Sequence, residues 1–330
     1  MSRSIILKVL QQHRGEFVSG ERICAEIGVT RAAVWKGIER LRREGYEIES
    51  KPHQGYCLRY APDALSAEAL RAALDTKVVG SIVRCFEAID STNTYAKIAA
   101  AEPDNNGLVV IADQQTGGRG RCGRSFESPA GLGLYLSALL KPKANPADVI
   151  PVTAMAAVAV CNAVERVCGI RPGIKWTNDI ILNGKKLAGI LTEMGIEGES
   201  GQLQYVVVGI GLNVNHQSGD FTPEIEKMAT SLALETGKPV RRLALACALV
   251  EELDRVYADI GGDRTPYLAA YRRDCVTLGK EVRIIGSGQE RTGVALDIDE
   301  SFGLRVRTAD GTEELVQSGE VSVRGLYGYV

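Results

Sequence analysis

Gly117-Gly118-Arg119-Gly120-Arg121-Cys122-Gly123-Arg124 forms a glycine- and arginine-rich loop between two apolar segments. Its glycines let the backbone approach a ligand closely, and exposed amides in such a loop bind anions. Its arginines add permanent charges that bind phosphate or carboxylate in a bidentate manner. A disordered arginine-glycine tail would repeat and would lack the apolar flanks, and the spacing matches neither a P-loop nor a dinucleotide-binding fingerprint. The loop therefore predicts a folded pocket for a nucleotide or another polyanion.

Three further polar stretches surround this loop in the sequence. DSTNT (90–94) ends a predicted strand, and helix capping explains one of its hydroxyls but not the whole cluster. KWTND (175–179) places an Asn-Asp pair among apolar residues, which is costly unless both side chains have partners. Lys186 stands just past the following turn, where a strand can direct it into a pocket. Glycines within GIGLNVN (209–215) indicate close approach of a ligand or another backbone.

The region from 83 to 275 has the pattern of an α+β domain. The candidate strands are 83–88, 108–113, 132–140, 174–182, 187–195 and 204–214, and the candidate helices are 93–101, 148–168 and 241–261. Neighbouring strands are joined by short turns such as Asn183-Gly184. A mixed, largely antiparallel sheet with helices on one face is therefore expected rather than a doubly wound parallel sheet.

The first 60 residues resemble a nucleic-acid-binding module in their charge. They hold 11 Lys and Arg against 7 Asp and Glu, whereas the rest of the chain holds 28 against 34, within an overall formal charge of −2. Three helical periods with a turn at Gly28, followed by alternation over 46–58, predict a winged helix-turn-helix. The exposed face of its third helix would offer to DNA Arg31, Ala32, Trp35, Lys36 and Arg40.

These patterns divide the chain into a winged helix-turn-helix at 1–60, a linker at 61–82, the α+β domain at 83–275 and a small β-barrel at 276–330. The barrel is predicted from short strands separated by turns, at about 281–286, 290–298, 302–308, 313–317 and 321–324.

Several classes of protein are disfavoured by composition. The eight cysteines form no CxxC pair, so free thiols are expected rather than a zinc site or a disulfide framework, and no protein metal site is predicted. The N-terminal segment lacks the apolar core of a secretion signal. No stretch is expected to approach the roughly 18 apolar residues of a membrane span, which predicts a cytoplasmic protein without a membrane partner.

In chain order, STN (91–93), QQTGGRGRCGR (114–124), KWTND (175–179), KKLAGIL (185–191) and GIGLNVN (209–215) closely resemble the biotin protein ligase family. The winged head and terminal barrel are similar to those of bifunctional members that also repress biotin-synthesis genes. The resemblance implies a catalytic domain like that of class II aminoacyl-tRNA synthetases and an SH3-like terminal barrel.

The same resemblance implies a two-step reaction. Biotin and ATP with Mg²⁺ would give biotinyl-5′-AMP, which would acylate a lysine of biotin carboxyl carrier protein, a subunit of acetyl-CoA carboxylase. The adenylate would act as corepressor on operator DNA, through a homodimer that depends on this ligand.

The resemblance also implies roles for individual residues. Biotin contacts are implied for Ser91, Thr92, Asn93, Gln114, Arg119, Gly120, Arg121, Lys186 and Gly189, and Leu191 would line the same pocket. Nucleotide contacts are implied for Arg119, Arg121, Arg124, Asn178 and Asn213. Arg121 and Lys186 would meet the biotin carboxylate and the α-phosphate, and Asp179 would orient the incoming lysine or accept its proton.

Three positions depart from the family pattern. Thr177 replaces the usual proline of the KWPND motif and removes a fixed φ, and Phe126 replaces the usual tryptophan and removes a donor. Cys122 occupies a variable position of the loop and is interpreted as a passive residue.

Two alternatives remain open at the level of sequence. A lipoate protein ligase would have a similar fold and chemistry, but the polar residues Ser91, Thr92 and Gln114 suit the ureido ring of biotin. A biotin-sensing transcription factor without ligase turnover is the second alternative, and it is disfavoured by the retained residues Arg119, Arg121, Asn178, Asp179 and Lys186.

Overall fold

A computed structural model describes residues 2–13, 15–43, 45–60, 63, 65–286, 289–317 and 322–325. Pro62 of the predicted linker and residue 321 of the last predicted strand lie outside the described residues. Contacts between Cα atoms divide the chain into two compact units, residues 1–75 with 241–243 and residues 76–240 with 244–330.

The first unit combines helices with a β-hairpin. Its described helices are α1 (Ser2–Gln12), α2 (Gly20–Ile27), α3 (Arg31–Arg43) and α4 (Ala67–Ala73), and its strands β1 (Glu47–Lys51) and β2 (Gly55–Tyr60) pair antiparallel. Ser19 caps α2 by accepting the N–H of Arg22 at 3.1 Å, and Gly28 ends this helix in the left-handed conformation at φ 66°. These elements confirm the predicted winged helix-turn-helix.

The second unit is built on a mixed sheet. Its strands are β3 (Ile82–Ile89), β4 (Leu108–Gln115), β5 (Gly133–Leu140), β6 (Gly173–Lys175), β7 (Asp179–Leu182), β8 (Lys185–Ile196) and β9 (Leu203–Asn213), in the order β3-β4-β5-β9-β8-β7-β6. The pair β3 and β4 is parallel and the other neighbouring pairs are antiparallel, which confirms the predicted sheet.

One predicted strand is wrong in its extent. Residues 174–182 form two short strands, because residues 176–178 turn the chain and β6 pairs antiparallel with β7. The polar motif KWTND therefore forms the connection of a hairpin, and its side chains do not follow the alternation of one continuous strand.

The helices of this unit are α5 (Thr92–Ala99), α6 (Pro146–Val149), α7 (Val152–Cys168), α8 (Pro223–Glu226), α9 (Leu232–Thr236), α10 (Arg242–Ala258, of which the first two residues are counted with the first unit) and α11 (Thr265–Asp274). Contrary to the expectation from the sequence, residues 146–168 are long and apolar enough to cross a membrane, with a mean hydropathy of 1.7. Since 72% of the apolar window is buried within the protein, we interpret this segment as a core helix.

The C-terminal part of the second unit is an antiparallel sheet. Its strands are β10 (Glu281–Gly286), β11 (Gln289–Ile298), β12 (Leu304–Thr308), β13 (Glu313–Val316) and β14 (Ser322–Gly325), in the order β13-β12-β11-β10-β14. The predicted strands are thus found within one or two residues of their limits. The exact domain boundaries and the closure of this sheet into a barrel stay predictions.

Candidate active site

A pocket lies above the paired strands β8 and β9. Its floor includes Gly189 and Gly211, which face each other across the two strands, and Gly209. A Cβ at Gly211 would lie 2.6 Å from the ring of Phe126, and a Cβ at Gly209 would collide with the side chain of Asn93. These glycines therefore keep the floor thin enough to admit both the neighbouring side chains and a ligand.

The N-terminus of α5 supplies one wall of the pocket. Ser91 is the N-cap of this helix, and the side chains of Ser91, Thr92 and Asn93 are 2%, 4% and 5% exposed. Gln115 fixes the first turn, because its Oε1 lies 2.9 Å from the amide nitrogen of Thr92. All four residues line the pocket. The sequence motif STN therefore brings buried polar groups to the site rather than only capping a helix.

The glutamine in this wall is Gln115, the residue that follows the predicted Gln114. The pocket is lined by Gln115, and Gln114 is not among its lining residues. Both lie on β4, where successive side chains point to opposite faces of the sheet. The dipeptide Gln114-Gln115 does not indicate which side chain faces the pocket. In the structure, the hydrogen bond from the Thr92 N–H to Oε1 holds the side chain of Gln115 at this wall.

The glycine- and arginine-rich loop folds back on itself. Phe126 donates its N–H to the carbonyl of Gly118 at 2.9 Å, and Gly120 donates to the carbonyl of Arg124 at 2.7 Å. Arg119, Gly120 and Arg121 line the pocket, and their contacts with biotin and the nucleotide stay predictions. Arg124 is exposed and is not among the lining residues, because it lies on the returning half of the loop.

The paired strands β7 and β8 bring the carboxylate of KWTND, Asp179, next to the ammonium group of KKLAGIL, Lys186. Lys186 Nζ lies 2.7 Å from Asp179 Oδ1, and Lys186 lines the pocket whereas Asp179 stands behind it. Arg121 donates from Nη1 to Asn178 Oδ1 at 3.2 Å, so the loop is tied to the same hairpin. The site thus concentrates positive charge next to an apolar floor, a suitable environment for an anionic ligand.

Asn213, for which a nucleotide contact is predicted, lies outside the lining of the pocket. Its side chain is 5% exposed, donates to the carbonyl of Thr230 at 3.0 Å and is not among the lining residues of the pocket. Thr230 in turn donates its N–H to the carbonyl of Lys186. Asn213 therefore supports the backbone beside the pocket, and the proposal that it contacts a nucleotide directly is not supported by this geometry.

Helix α11 and the C-terminal sheet support the KWTND hairpin from behind. Trp176 donates from Nε1 to the carbonyl of Phe302 at 2.9 Å, and Tyr271 donates its hydroxyl to the carbonyl of Thr177 at 3.0 Å. Complete burial raises the pKa of Tyr271 well above its ordinary value, so this phenol stays a donor. The Trp176–Thr177 peptide is cis, and the Thr177 hydroxyl is buried without a hydrogen-bond partner among the described residues.

The described residues contain no group of three or more His, Cys, Asp or Glu side chains able to hold a metal ion. The carboxylate of Asp179, which lies next to the pocket, forms an ion pair with Lys186. The thiols of Cys24, Cys57, Cys85, Cys161, Cys168, Cys247 and Cys275 are free. The side chain of Cys122 lies outside what the structure describes.

The first unit carries a separate candidate surface on α3. Its apolar stripe of Val34, Ile38 and Leu41 is buried. The opposite side exposes all the residues predicted to meet DNA, which are Arg31, Ala32, Trp35, Lys36 and Arg40. Trp35 is 56% exposed, which is unusual for so large an apolar side chain and fits a contact surface.

Sequence reasoning missed several residues of the pocket. Ile190, Gly209, Ile210 and Gly211 line it, although they were recognised only as parts of motifs. The glycines within a strand were the usable signal. Ser137 and Glu193, which hold the STN residues from behind, carried no recognisable signal because they lie in apolar strands far away in sequence.

The family models of three known families match successive parts of the chain. Residues 3–57 match the HTH domain, residues 85–213 match the biotin/lipoate A/B protein ligase family, and residues 277–324 match the biotin protein ligase C terminal domain.

Individual relatives match over most of the chain. The bifunctional ligase/repressor BirA of Bacillus spizizenii is 36% identical over 95% of this chain and 96% of its own length. The biotin--[acetyl-CoA-carboxylase] ligase of Mycobacterium tuberculosis is 33% identical over 68% of this chain and 81% of its own length. The structure of the biotin protein ligase from Aquifex aeolicus in complex with biotin and ATP is similar with a TM-score of 0.63 and 28% identity, over 74% of this chain and 99% of that chain.

Proposed function

The chain belongs to the family of bifunctional biotin protein ligases and repressors, and on this premise we propose that its pocket activates biotin with ATP and then biotinylates a protein lysine. One observation carries the proposal for the site. A polar wall around Thr92 and Gln115 and the cations Arg121 and Lys186 line the same pocket. A small acid with a polar head group can therefore bind with its carboxylate next to the positive charge.

In the first step, a carboxylate oxygen of biotin attacks the α-phosphorus of ATP. A phosphorus–oxygen bond to biotin forms, the bond to the β-phosphate breaks, and pyrophosphate leaves. Both reactants are anionic, so their approach requires cations that hold them together and stabilise the charge in the transition state. Lys186 and Arg121 have the charge and the location for this role. We assign Arg119 and Gly120 to the wall that closes over the adenylate, and Arg124 to the outgoing polyphosphate.

In the second step, the amine of the acceptor lysine attacks the carboxyl carbon of the mixed anhydride. An amide bond forms, AMP leaves, and the amine must lose a proton. Asp179 lies behind Lys186 and carries a carboxylate that can orient the amine or accept that proton. Asn178 is tied to Arg121 and positions the loop around the nucleotide.

Magnesium is proposed to enter together with ATP. The described residues contain no group of three or more His, Cys, Asp or Glu side chains that could hold a metal ion. Mg²⁺ commonly binds through substrate phosphates and water. No step of this proposal is assigned to the metal.

The acceptor is proposed from the name of a relative. The Mycobacterium tuberculosis protein acts, by its name, on acetyl-CoA carboxylase. We infer that the acceptor of this chain is the biotin carboxyl carrier protein of that enzyme. Incubation of the two proteins with biotin and ATP tests this directly, because mass spectrometry should detect one added biotinyl group on one lysine. An unmodified carrier would contradict the assignment of the acceptor.

The helix-turn-helix is proposed to bind operator DNA in the cytoplasm as part of a dimer. The exposed face of α3 and the family of bifunctional relatives support DNA binding. We infer that biotinyl-5′-AMP strengthens dimerisation and thereby operator binding. The binding of the adenylate and the binding of DNA would then be linked reciprocally. Gel shifts with and without biotin and ATP, together with sedimentation of the free protein, test this coupling. An operator affinity that does not respond to the ligands would contradict it.

A further inference from the structure

A buried chain of hydrogen-bonding side chains runs from the surface to the polar wall of the pocket. We name it the polar chain, and it consists of Lys97, Glu193, Asn93, Ser137, Thr92 and Gln115. Its outer end is an ion pair in which Lys97 Nζ lies 2.6 Å from Glu193 Oε1. Its centre is Ser137, whose side chain is fully buried on β5.

Glu193 determines the orientation of the Asn93 amide. Asn93 Nδ2 lies 2.8 Å from Glu193 Oε2 and 3.2 Å from the carbonyl oxygen of Leu191. Both partners can only accept hydrogen bonds, so the nitrogen of the amide must face them. The oxygen, Oδ1, therefore faces Ser137 and can only accept.

The inner part of the chain has more contacts than protons. Three short oxygen pairs occur, which are Asn93 Oδ1 to Ser137 Oγ at 2.6 Å, Ser137 Oγ to Thr92 Oγ1 at 2.7 Å, and Thr92 Oγ1 to Gln115 Oε1 at 3.1 Å. Only the two hydroxyls carry protons for these pairs. One pair must therefore lack a proton.

The pair without a proton is the longest one. Asn93 Oδ1 has no proton, so Ser137 donates to it, and the 2.7 Å contact is then bonded only if Thr92 donates to Ser137. Gln115 Oε1 does not require the Thr92 hydroxyl, because it already accepts the Thr92 N–H at 2.9 Å. The proton of Thr92 is consequently directed toward Ser137, which is not among the residues that line the pocket.

We propose that Ser137 is a positioning residue that makes Thr92 Oγ1 a hydrogen-bond acceptor toward the ligand, so that the pocket selects a head group with an N–H at this point. The inference rests on the proposed function, in which the ligand is biotin and the head group is its ureido ring. A ligand with an oxygen in place of that N–H would place two lone pairs against each other. Turning the Thr92 proton toward such a ligand would leave the Ser137–Thr92 contact unbonded in a buried place.

The test uses the substrate and two close analogues. Each analogue is a cyclic carbamate of biotin in which a ring oxygen replaces one of the two ureido N–H groups. Dissociation constants for biotin and both carbamates are measured by calorimetry on the wild type, Ser137→Ala and Ser137→Cys. The matched control is Thr192→Val, which removes a hydroxyl of β8 that pairs with Thr153 of helix α7 at 2.9 Å and does not line the pocket.

The wild type should bind biotin about 100-fold more tightly than the disfavoured carbamate, because a site built for an N–H rejects its absence strongly. In Ser137→Ala the Thr92 proton is free to turn toward the ring oxygen, and this ratio should fall at least about tenfold. Ser137→Cys, whose sulfur is a weak acceptor, should give an intermediate ratio and decides the question if Ser137→Ala does not fold. Thr192→Val should keep the wild-type ratio.

An unchanged ratio in a folded Ser137 variant that still binds biotin would overturn this inference alone. An equal fall of the ratio in Thr192→Val would also overturn it, because the effect would then reflect general loosening of the sheet. A wild-type protein that does not bind biotin would contradict the proposed function together with this inference, and the two failures are thus distinguishable.

Discussion

Lys186 Nζ lies 2.7 Å from Asp179 Oδ1, and these two side chains are 28% and 18% exposed at the edge of the pocket. The ion pair holds an ammonium group beside the floor glycine Gly189, where a Cβ would come within 3.2 Å of Lys186 Nζ. An incoming carboxylate or phosphate competes with Asp179 for this ammonium. The pair therefore links the group that stabilises the first step to the group proposed for the second.

Lys186→Ala should slow adenylate formation by about 100-fold to 1,000-fold, because it removes a charge that stabilises the transition state. Biotin-dependent pyrophosphate exchange measures this step without the carrier protein. Lys185→Ala is the matched control, since Lys185 is the exposed neighbour on the same strand and interacts with the carbonyl of Glu226. Equal losses in the two variants would show that general charge, and not the position of Lys186, matters.

Asp179→Asn should affect the second step more than the first. We expect transfer of biotin from preformed adenylate to the carrier lysine to slow at least about tenfold, because a general base or orienting carboxylate is lost. Pyrophosphate exchange should fall by less. Single-turnover measurements separate the two steps, and an equal loss in both would mean that Asp179 acts through Lys186.

Gly211→Ala should weaken biotin binding by about 10-fold to 100-fold, because the added methyl group would press on the ring of Phe126 and narrow the pocket. Titration calorimetry measures the effect. Gly198→Ala is the control, since a Cβ there would meet no atom within 4 Å. Normal biotin affinity in Gly211→Ala would mean that the floor does not contact the ligand.

His216 should make the second unit less stable in mild acid. Its ring is 1% exposed and stacks on Phe221 with ring centres 4.7 Å apart. Burial lowers the pKa of His216 from 6.5 to about 4, although the charge of Asp220 opposes this shift. The unfolded chain therefore binds a proton near its ordinary pKa while the folded chain does not, so stability falls as the pH drops from about 6.5 to about 4.

The loss attributable to His216 should be on the order of 2 to 3 kcal/mol over that range. Urea unfolding at several pH values measures it. Between pH 6.5 and 5 most carboxylates stay ionised, so His216→Leu should flatten the slope there. A slope that is identical in the wild type and the variant would contradict this role of His216.

Lys36→Ala and Trp35→Ala should differ in how they weaken DNA binding. Loss of a phosphate contact by Lys36 should reduce by about one the slope of the logarithm of the DNA-binding constant against the logarithm of the salt concentration. Loss of Trp35 should weaken binding but leave that slope unchanged. Gel shifts over a range of salt concentrations measure both. Lys238→Ala removes an equal charge from the other unit and serves as the control.

Much of the fold was predictable because local signals agreed. Ser19 and Gly28 delimit α2, and the turn at Asn183-Gly184 separates β7 from β8 with both residues at positive φ. The split between β6 and β7 was not predictable, because the turn is formed by Trp176, Thr177 and Asn178, which carry no turn signature.

Residues of the pocket could be predicted where several of them are close together within one sequence motif. Arg121 and Lys186, each conspicuous within its motif, both line the pocket. The resemblance implies Gln114 where the pocket is lined by Gln115, because the phase of a strand end cannot be read from two identical residues. Asn213 was assigned to a nucleotide because the sequence could not reveal that Thr230 accepts its amide proton.

The most direct test of the central claim is the exchange of labelled pyrophosphate into ATP in the presence of biotin, lipoate or octanoate in turn. A pocket whose polar wall binds a ureido ring and whose cations bind a carboxylate predicts exchange with biotin and little with the other two acids. Exchange that requires lipoate or octanoate, and not biotin, would contradict it.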